Sequence, residues 1–349
     1  TGGAIAPLLA LSGYKYVFPS SEGEIIFFDN KEIKWKYKLD SNNVAASGLC
    51  ADKKQNIYIL DNEGELYSLT VSGKLRWKKF FKKISDRDII TFSDLMAVDD
   101  GIIVASSDGL IVKYNFKGEL LWSKLFNLSL MKYFPADEKG NIYLPLTNNT
   151  FGESDSLVCI NSRGDVEWER SFEKIRIIKP AVCSQSDIYL CCVKVIAGER
   201  YPLVICLSNK GKIKWNREIS QTARFISVGN DGNIYVVAYD AGFGKPISMI
   251  ISFDKDGKMI WKKNIEVAVI SPVMIGEEII SFVGTDEEAS GVYFMRKNGF
   301  LENVISLSEA PILNLNPLVT PNKNILFGGS EKIFILRIDE TPLKKFIPW

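Results

Sequence analysis

A tryptophan recurring at 35, 77, 122, 168, 215 and 261, a glycine four residues ahead of each of the last five, and strand-period alternation without sustained helical spacing point to one architecture. They predict an all-β fold, an eight-bladed β-propeller of four-stranded antiparallel blades, with residues 1–349 as a single domain. The intervals between the tryptophans are 42, 45, 46, 47 and 46 residues. Their frames read Gly73-Lys-Leu-Arg-Trp77, Gly118-Glu-Leu-Leu-Trp122, Gly164-Asp-Val-Glu-Trp168, Gly211-Lys-Ile-Lys-Trp215 and Gly257-Lys-Met-Ile-Trp261. The first unit, Lys31-Glu-Ile-Lys-Trp35, keeps the tryptophan and loses the glycine. A seventh, Gly299-Phe-Leu-Glu-Asn303, does the reverse, and an eighth, Pro342-Leu-Lys-Lys-Phe346, offers Phe346 instead. Eight units in 349 residues give about 44 residues each.

Within a unit the order is an apolar run, a turn, an Asn-Ile-Tyr type strand, a second turn, another strand and the Gly-to-Trp segment. The Asn-Ile-Tyr element at Ile57-Tyr58 returns as Asn141-Ile142-Tyr143, Asp187-Ile188-Tyr189, Asn233-Ile234-Tyr235 and Asn324-Ile325-Leu326. Each opens a β-branched and aromatic run bounded by turn residues, which makes four strands per unit. Period two is clearest at Ile33-Lys34-Trp35-Lys36-Tyr37-Lys38-Leu39, the pattern of an outer strand with one face packed and one wet. A parallel β-helix is the alternative, but its coils are much shorter and need no complete four-strand set.

Composition narrows the chemistry. With 46% hydrophobic residues and 43 basic against 42 acidic side chains, the net charge is +1, which excludes a disordered chain and gives no whole-chain reason to expect nucleic acid. There is no histidine, so Ser-His-Asp and Cys-His nucleophilic sites, imidazole-ligated metals and imidazole acid–base catalysis are closed. No apolar run approaches the roughly 18 residues of a membrane span, and the chain opens at Thr1-Gly2-Gly3-Ala4, as if a targeting signal were removed or never present. Cys50, Cys159, Cys183, Cys191, Cys192 and Cys206 show neither C-x-x-C spacing nor a disulfide framework and read as small core residues.

The repeats resemble the pyrroloquinoline-quinone-like (PQQ-like) family. The resemblance rests on an apolar-Tyr strand, acidic-Gly-x-apolar, then Gly-x-x-x-Trp, as in Ile57-Tyr58, Glu63-Gly64-Glu65-Leu66 and Gly73 to Trp77, and runs from about Ala4 to Phe346. WD repeats need a Gly-His pair that this chain cannot supply, and kelch repeats need paired glycines, which here are almost confined to Gly328-Gly329. The resemblance implies that the motif tryptophans pack between blades, a place that suits a large flat ring beside a turning glycine. It also implies two kinds of function. One is a non-catalytic protein-binding or assembly scaffold, bacterial and exported to the periplasm or cell envelope, like the lipoprotein of the outer-membrane barrel-assembly machinery. The other is a PQQ-dependent quinoprotein dehydrogenase, and a ligand-sensing extracellular propeller domain or a cytoplasmic setting is a further alternative.

The scaffold is the preferred reading, because no candidate chemistry stands out from the repeat. Adjacent cysteines form a disulfide beneath the quinone in the resembling dehydrogenases, but Cys191-Cys192 lies inside a strand, where successive side chains point apart. Cys159 and Cys206 both stand five residues before the repeat glycine, where unit two has Ser68, which suggests a tight inter-blade position. Asp254-Lys-Asp256-Gly257 looks like a calcium loop yet aligns with ordinary turns at Asn161-Ser-Arg163-Gly164 and Ser208-Asn-Lys210-Gly211. The run from Lys78 to Lys83, with Arg87, reads as a strand edge guarded by lysine rather than a nucleic-acid patch. No catalytic, cofactor-binding or metal-ligating residue is assigned, and no cofactor is expected. The expected partner is a protein, the chain a monomer without a membrane span, and a lipid anchor ahead of residue 1 is compatible with it. The segments between second and third strands, short at Asp61-Asn-Glu-Gly64 and Ser106-Ser-Asp-Gly109, lengthen at residues 147–154, 194–201 and 239–245. Such loops share one face of a propeller, and Phe151, Arg200, Tyr201, Phe243 and Lys245 have the composition of a partner-binding anchor set.

Overall fold

The structure, a computed structural model, describes residues 9–12, 15–20, 23–29, 32–40, 46–81, 92, 95–131, 134–147, 154–182, 187–229, 231–239, 247–286, 290–307, 318–319, 324–328 and 333–337. It is all-β, and each sheet is built from strands that pair antiparallel with their neighbours in chain order. Two compact units divide it, Thr1–Phe126 with Ala310–Trp349, and Asn127–Glu309. The first holds blades 1 to 3 (residues 9–38, 46–80 and 96–125) and the second blades 4 to 7 (129–172, 175–218, 223–265 and 268–307).

The blade count corrects the expectation of eight. The structure shows seven blades with the full four-stranded set; residues 318–337 supply only Leu318–Val319, Asn324–Gly328 and Ile333–Arg337. The last repeat also differs in sequence: Pro342 stands where blades 2 to 7 carry a glycine at positive φ. The frame Pro342 to Phe346 lies outside the described residues. Blade 7 departs differently, because its first strand is broken into Ala268–Val269 and Met274–Ile275 around Ser271-Pro272. The hydroxyl of Ser271 accepts the Val283 N–H at 2.9 Å, standing in for a backbone carbonyl.

The middle strands explain why their sequences run apolar without alternation. In blade 2, Ile57 and Ile59 enter the core shared with blade 1, while Tyr58 and Leu60 enter the core shared with blade 3. Period two persists, but both faces are buried. Cores of the same kind join blades 4 and 5, 5 and 6, and 6 and 7 within the second unit.

Outer strands follow another rule. In all seven blades a β-bulge precedes the tryptophan position, so that Leu69 faces Leu75 while Ser68 faces Trp77, and the extra residue is Arg76. The residues two before that position, Ile33, Leu75, Leu120, Val166, Ile213, Met259 and Leu301, are all exposed. A bulge twists and interrupts the free edge, so these apolar strands present no flat template for pairing with another chain.

Five of the tryptophans lock their blade to the next. The indole Nε1–H of Trp35 donates to the Val71 carbonyl at 3.0 Å, Trp77 to Phe116 at 3.1 Å, Trp168 to Asn209 at 2.8 Å, Trp215 to Lys255 at 2.9 Å and Trp261 to Lys297 at 2.6 Å. The acceptor is always two residues before the repeat glycine. That glycine has φ of 80° at Gly73 and 75° at Gly257, and a Cβ there would lie 2.7 Å from the Trp35 ring or 2.5 Å from the Trp215 ring. Glycine is therefore needed twice over, for the turn and for the close approach. In blades 4 and 5 an arginine reinforces the joint, Arg170 donating to the Gly211 carbonyl at 3.0 Å and Arg217 to that of Gly257 at 2.6 Å.

The Asn-Ile-Tyr element has its own partner. Asp52 accepts from the backbone N–H groups of Lys54 and Asn56, from the Asn56 amide at 2.7 Å and from the Tyr58 hydroxyl at 2.9 Å. Asp137 repeats the set with Lys139, Asn141 and Tyr143. In blade 6 Gly229 stands in the aspartate's place, and the buried Tyr235 hydroxyl has no hydrogen-bond partner. Burial alone would raise the Asp52 and Asp137 carboxyls, but these hydrogen bonds outweigh it and hold both below the usual aspartate value.

Two outcomes are expected. Trp215→Ala should cost about 3–5 kcal/mol in urea unfolding, whereas Trp215→Phe, which removes mainly the indole hydrogen bond, should cost only about 1 kcal/mol. A depressed carboxyl contributes stability that is full above its unfolded pKa and lost as pH falls through the folded one. Stability of the wild type should therefore fall between about pH 5 and pH 2, and Asp52→Asn should flatten that slope, read from urea midpoints across pH.

Candidate functional site

Candidate nucleophiles are structural. Cys191 belongs to the core between blades 5 and 6 and Cys192 to the core between blades 4 and 5, so the adjacent thiols lie on opposite faces of their strand. Both are free and fully buried. Burial pushes the Cys191 thiol up to about 12 and the Cys192 thiol well above its ordinary value, so both stay protonated. Cys183 lies outside the described residues.

The position opposite each tryptophan is less uniform than its Ser and Cys members suggest. Cys159 and Cys206 do face Trp168 and Trp215, but Lys113 faces Trp122 and Phe27 faces Trp35. The site is thus not restricted to small side chains. Lys113 is 1% exposed and reaches out to Asp100 at 2.6 Å, so its stem fills the space and its charge is paired.

The acidic turn is an ordinary one. Asp254 Oδ1 accepts from the N–H groups of Asp256 and Lys258, as Asn161 Oδ1 does from Arg163 and Asp165. No group of three or more His, Cys, Asp or Glu that could hold a metal occurs among the described residues. In the basic run, Lys78 pairs with Asp40 at 2.6 Å and Glu65 at 2.7 Å and sits over the Tyr67 ring. Its neighbours Lys82, Lys83 and Arg87 lie outside the described residues.

Of the partner-binding set, Phe151, Phe243 and Lys245 lie outside the described residues. Arg200 and Tyr201 are placed, and not in a loop. Residues 194–201 form the end of a hairpin, Ile188–Ile196 and Glu199–Leu207, turned by Ala197 and Gly198 at φ of 50° and 86°. Two successive positive φ values match strand twist in a two-residue hairpin, so the extra length becomes strand rather than loop. The register pairs Lys194 with Tyr201, Val195 with Arg200 and Ile196 with Glu199. The fourth strand of the blade begins its pairing only at Leu203, opposite Glu218, so the hairpin tip extends beyond it. Arg200 and Tyr201 are exposed on opposite faces, with the Tyr201 hydroxyl donating to Glu199 at 2.6 Å. Ile196 is exposed beside them.

One feature escapes the sequence reading: an open cleft of about 450 Å³ between blades 4 and 5, lined by Asn141, Cys159, Glu167, Trp168, Asn209 and Lys210. Its signal is nevertheless present in the repeat frame, where Glu167 and Asn209 take the places held by Arg76 and Phe116 at the joint of blades 2 and 3.

Comparison with known proteins agrees with the fold. The BamB crystal structure from Moraxella catarrhalis is similar over 92% of this chain and 92% of that one, with a TM-score of 0.66 at 14% identity. The Dos1 propeller matches with a TM-score of 0.70 at 13% identity, over 97% of this chain and 95% of its own. The computationally designed Ika8 protein reaches 0.72 at 10% identity, over 97% of both chains. No curated protein sequence matches the chain. Residues 21–176 match the family described as outer membrane protein assembly factor BamB, so that part of the chain is similar to PQQ-like repeats, and the chain as a whole has the β-propeller fold.

Proposed function

We propose that the propeller is a non-catalytic scaffold that binds protein partners in the cell envelope, in the assembly of outer membrane proteins. The observation that carries this reading is the blade 5 hairpin. It lifts Ile196, Arg200 and Tyr201 clear of the blade, with Ile196 41% and Tyr201 36% exposed. An exposed aromatic, an aliphatic and an arginine on a rigid strand pair are the side chains that anchor protein interfaces, and the hairpin fixes them before a partner arrives. The match of residues 21–176 to the assembly-factor family supports the envelope setting. The adjacent Cys191 and Cys192 thiols are buried and protonated, which favours binding over covalent chemistry at that pair.

The test is site-specific photo-crosslinking in the native host. A photoreactive residue at position 201 should trap a component of outer membrane protein assembly, and the same residue at exposed Ile33 should not. Tyr201→Ala should weaken capture about fivefold or more, the scale of truncating an interface aromatic. Identical adducts from both positions would refute the assignment.

A further inference from the structure

Elsewhere in the ring, charged side chains beside the tryptophan position are paired, across a blade joint or within a blade. Between blades 2 and 3, Arg76 donates to the Tyr58 hydroxyl at 3.0 Å, the Ser68 hydroxyl at 2.9 Å and the Phe116 carbonyl at 3.1 Å, while the Phe116 ring lies 5.9 Å from that of Tyr58. In blade 5, Lys214 takes Arg76's place and pairs with Asp187 of the same blade at 2.6 Å. Between blades 6 and 7, Lys297 closes onto Asp231 at 2.8 Å.

At the joint between blades 4 and 5 Arg170 reaches the Gly211 carbonyl, but no cation stands at the bulge position before the tryptophan. Glu167 stands where Arg76 and Lys214 stand, and it turns aside to accept from the Asn161 amide at 2.5 Å. Asn209 replaces the bulky Phe116, and Cys159 replaces Ser68. What results is the cleft of about 450 Å³, within the usual volume range of small-molecule sites. Its walls carry one carboxylate, Glu167, one ammonium, Lys210, and the amides of Asn141 and Asn209. Glu167 and Lys210 line the same space without forming an ion pair. The indole of Trp168 completes the lining, held in place by its bond to the Asn209 carbonyl and by Gly211 against its ring.

We propose that this cleft binds a small zwitterion of the α-amino-acid class, its ammonium at Glu167 and the Trp168 ring and its carboxylate at Lys210 and the asparagine amides. A carboxylate and an ammonium lining one cleft fit a ligand that carries both charges, and a fixed aromatic wall beside a carboxylate suits an ammonium. Burial, with the nearby Asp137 and Glu167 charges, pushes the Cys159 thiol up to about 12, so the cleft holds a neutral thiol and binding is non-covalent. The site is independent of the hairpin and stands or falls apart from the scaffold reading.

The experiment is calorimetric titration and thermal shift of the intact chain with the twenty L-α-amino acids, with ethylamine and acetate as single-charge controls. At least one amino acid should bind with one-to-one stoichiometry and raise Tm, and neither control should. Glu167→Gln and Lys210→Ala, both exposed changes, should each weaken that binding about tenfold, and Glu167→Arg, which restores the bridge of the blade 2 joint, should abolish it. Tyr201→Ala should leave it unchanged. No heat and no Tm shift up to about 10 mM of any amino acid, or affinity unaltered in both charge variants, would overturn the proposal.

Discussion

The hydrogen bond from a tryptophan indole to the carbonyl two residues ahead of the next blade's glycine is the contact on which the blade joints depend. A sheet of four strands buries its faces only against other sheets, and twisted sheets placed side by side leave a wedge at their outer edge. The indole fills that wedge with a flat apolar surface and gives its single donor to a turn carbonyl. The turn can come that close only because its glycine has no Cβ and accepts positive φ. Trp35 with Val71, Trp77 with Phe116, Trp168 with Asn209, Trp215 with Lys255 and Trp261 with Lys297 are five copies of one solution.

The bulge before each tryptophan position follows from the same demand. The chain must leave a tight turn, begin pairing with the third strand and still aim a ring at the neighbouring blade, and one extra residue supplies the twist. That residue is then the freest to vary. It is Arg76, Glu167 or Lys214 in different blades, so its identity sets which charge stands beside the tryptophan. Structure and recognition thus meet in one position: the repeat conserves the joint and leaves the bulge residue to set the local chemistry.

The hairpin of blade 5 departs from the repeat in another way. Its second and third strands run for nine residues each, beyond the reach of the fourth strand, and its turn needs only Ala197 and Gly198. A rigid projection of this kind presents side chains without the ordering cost of a long loop, which is why it suits a scaffold.

Much of the architecture is legible in the sequence because propeller contacts repeat. The tryptophan period, the glycine four residues ahead and the tyrosine of the second strand report their own surroundings in each unit, and the opposed directions of Cys191 and Cys192 follow from strand geometry alone. The blade count is less legible, since a repeat that keeps its first three strands but carries Pro342 for glycine still adds to the tally of units. Lys113 deep in a blade, the conversion of residues 194–201 from loop to strand, and the cleft at Glu167 belong to the tertiary structure. Each depends on what a side chain meets across a strand or a joint: Asp100 for Lys113, Val195 for Arg200, and, for Glu167, the absence of a cation spanning to Asn141. The sequence by itself determines which residues recur and therefore which contacts every joint makes; only the folded chain decides which joints stay open, because that depends on pairs of side chains brought together from about forty residues apart.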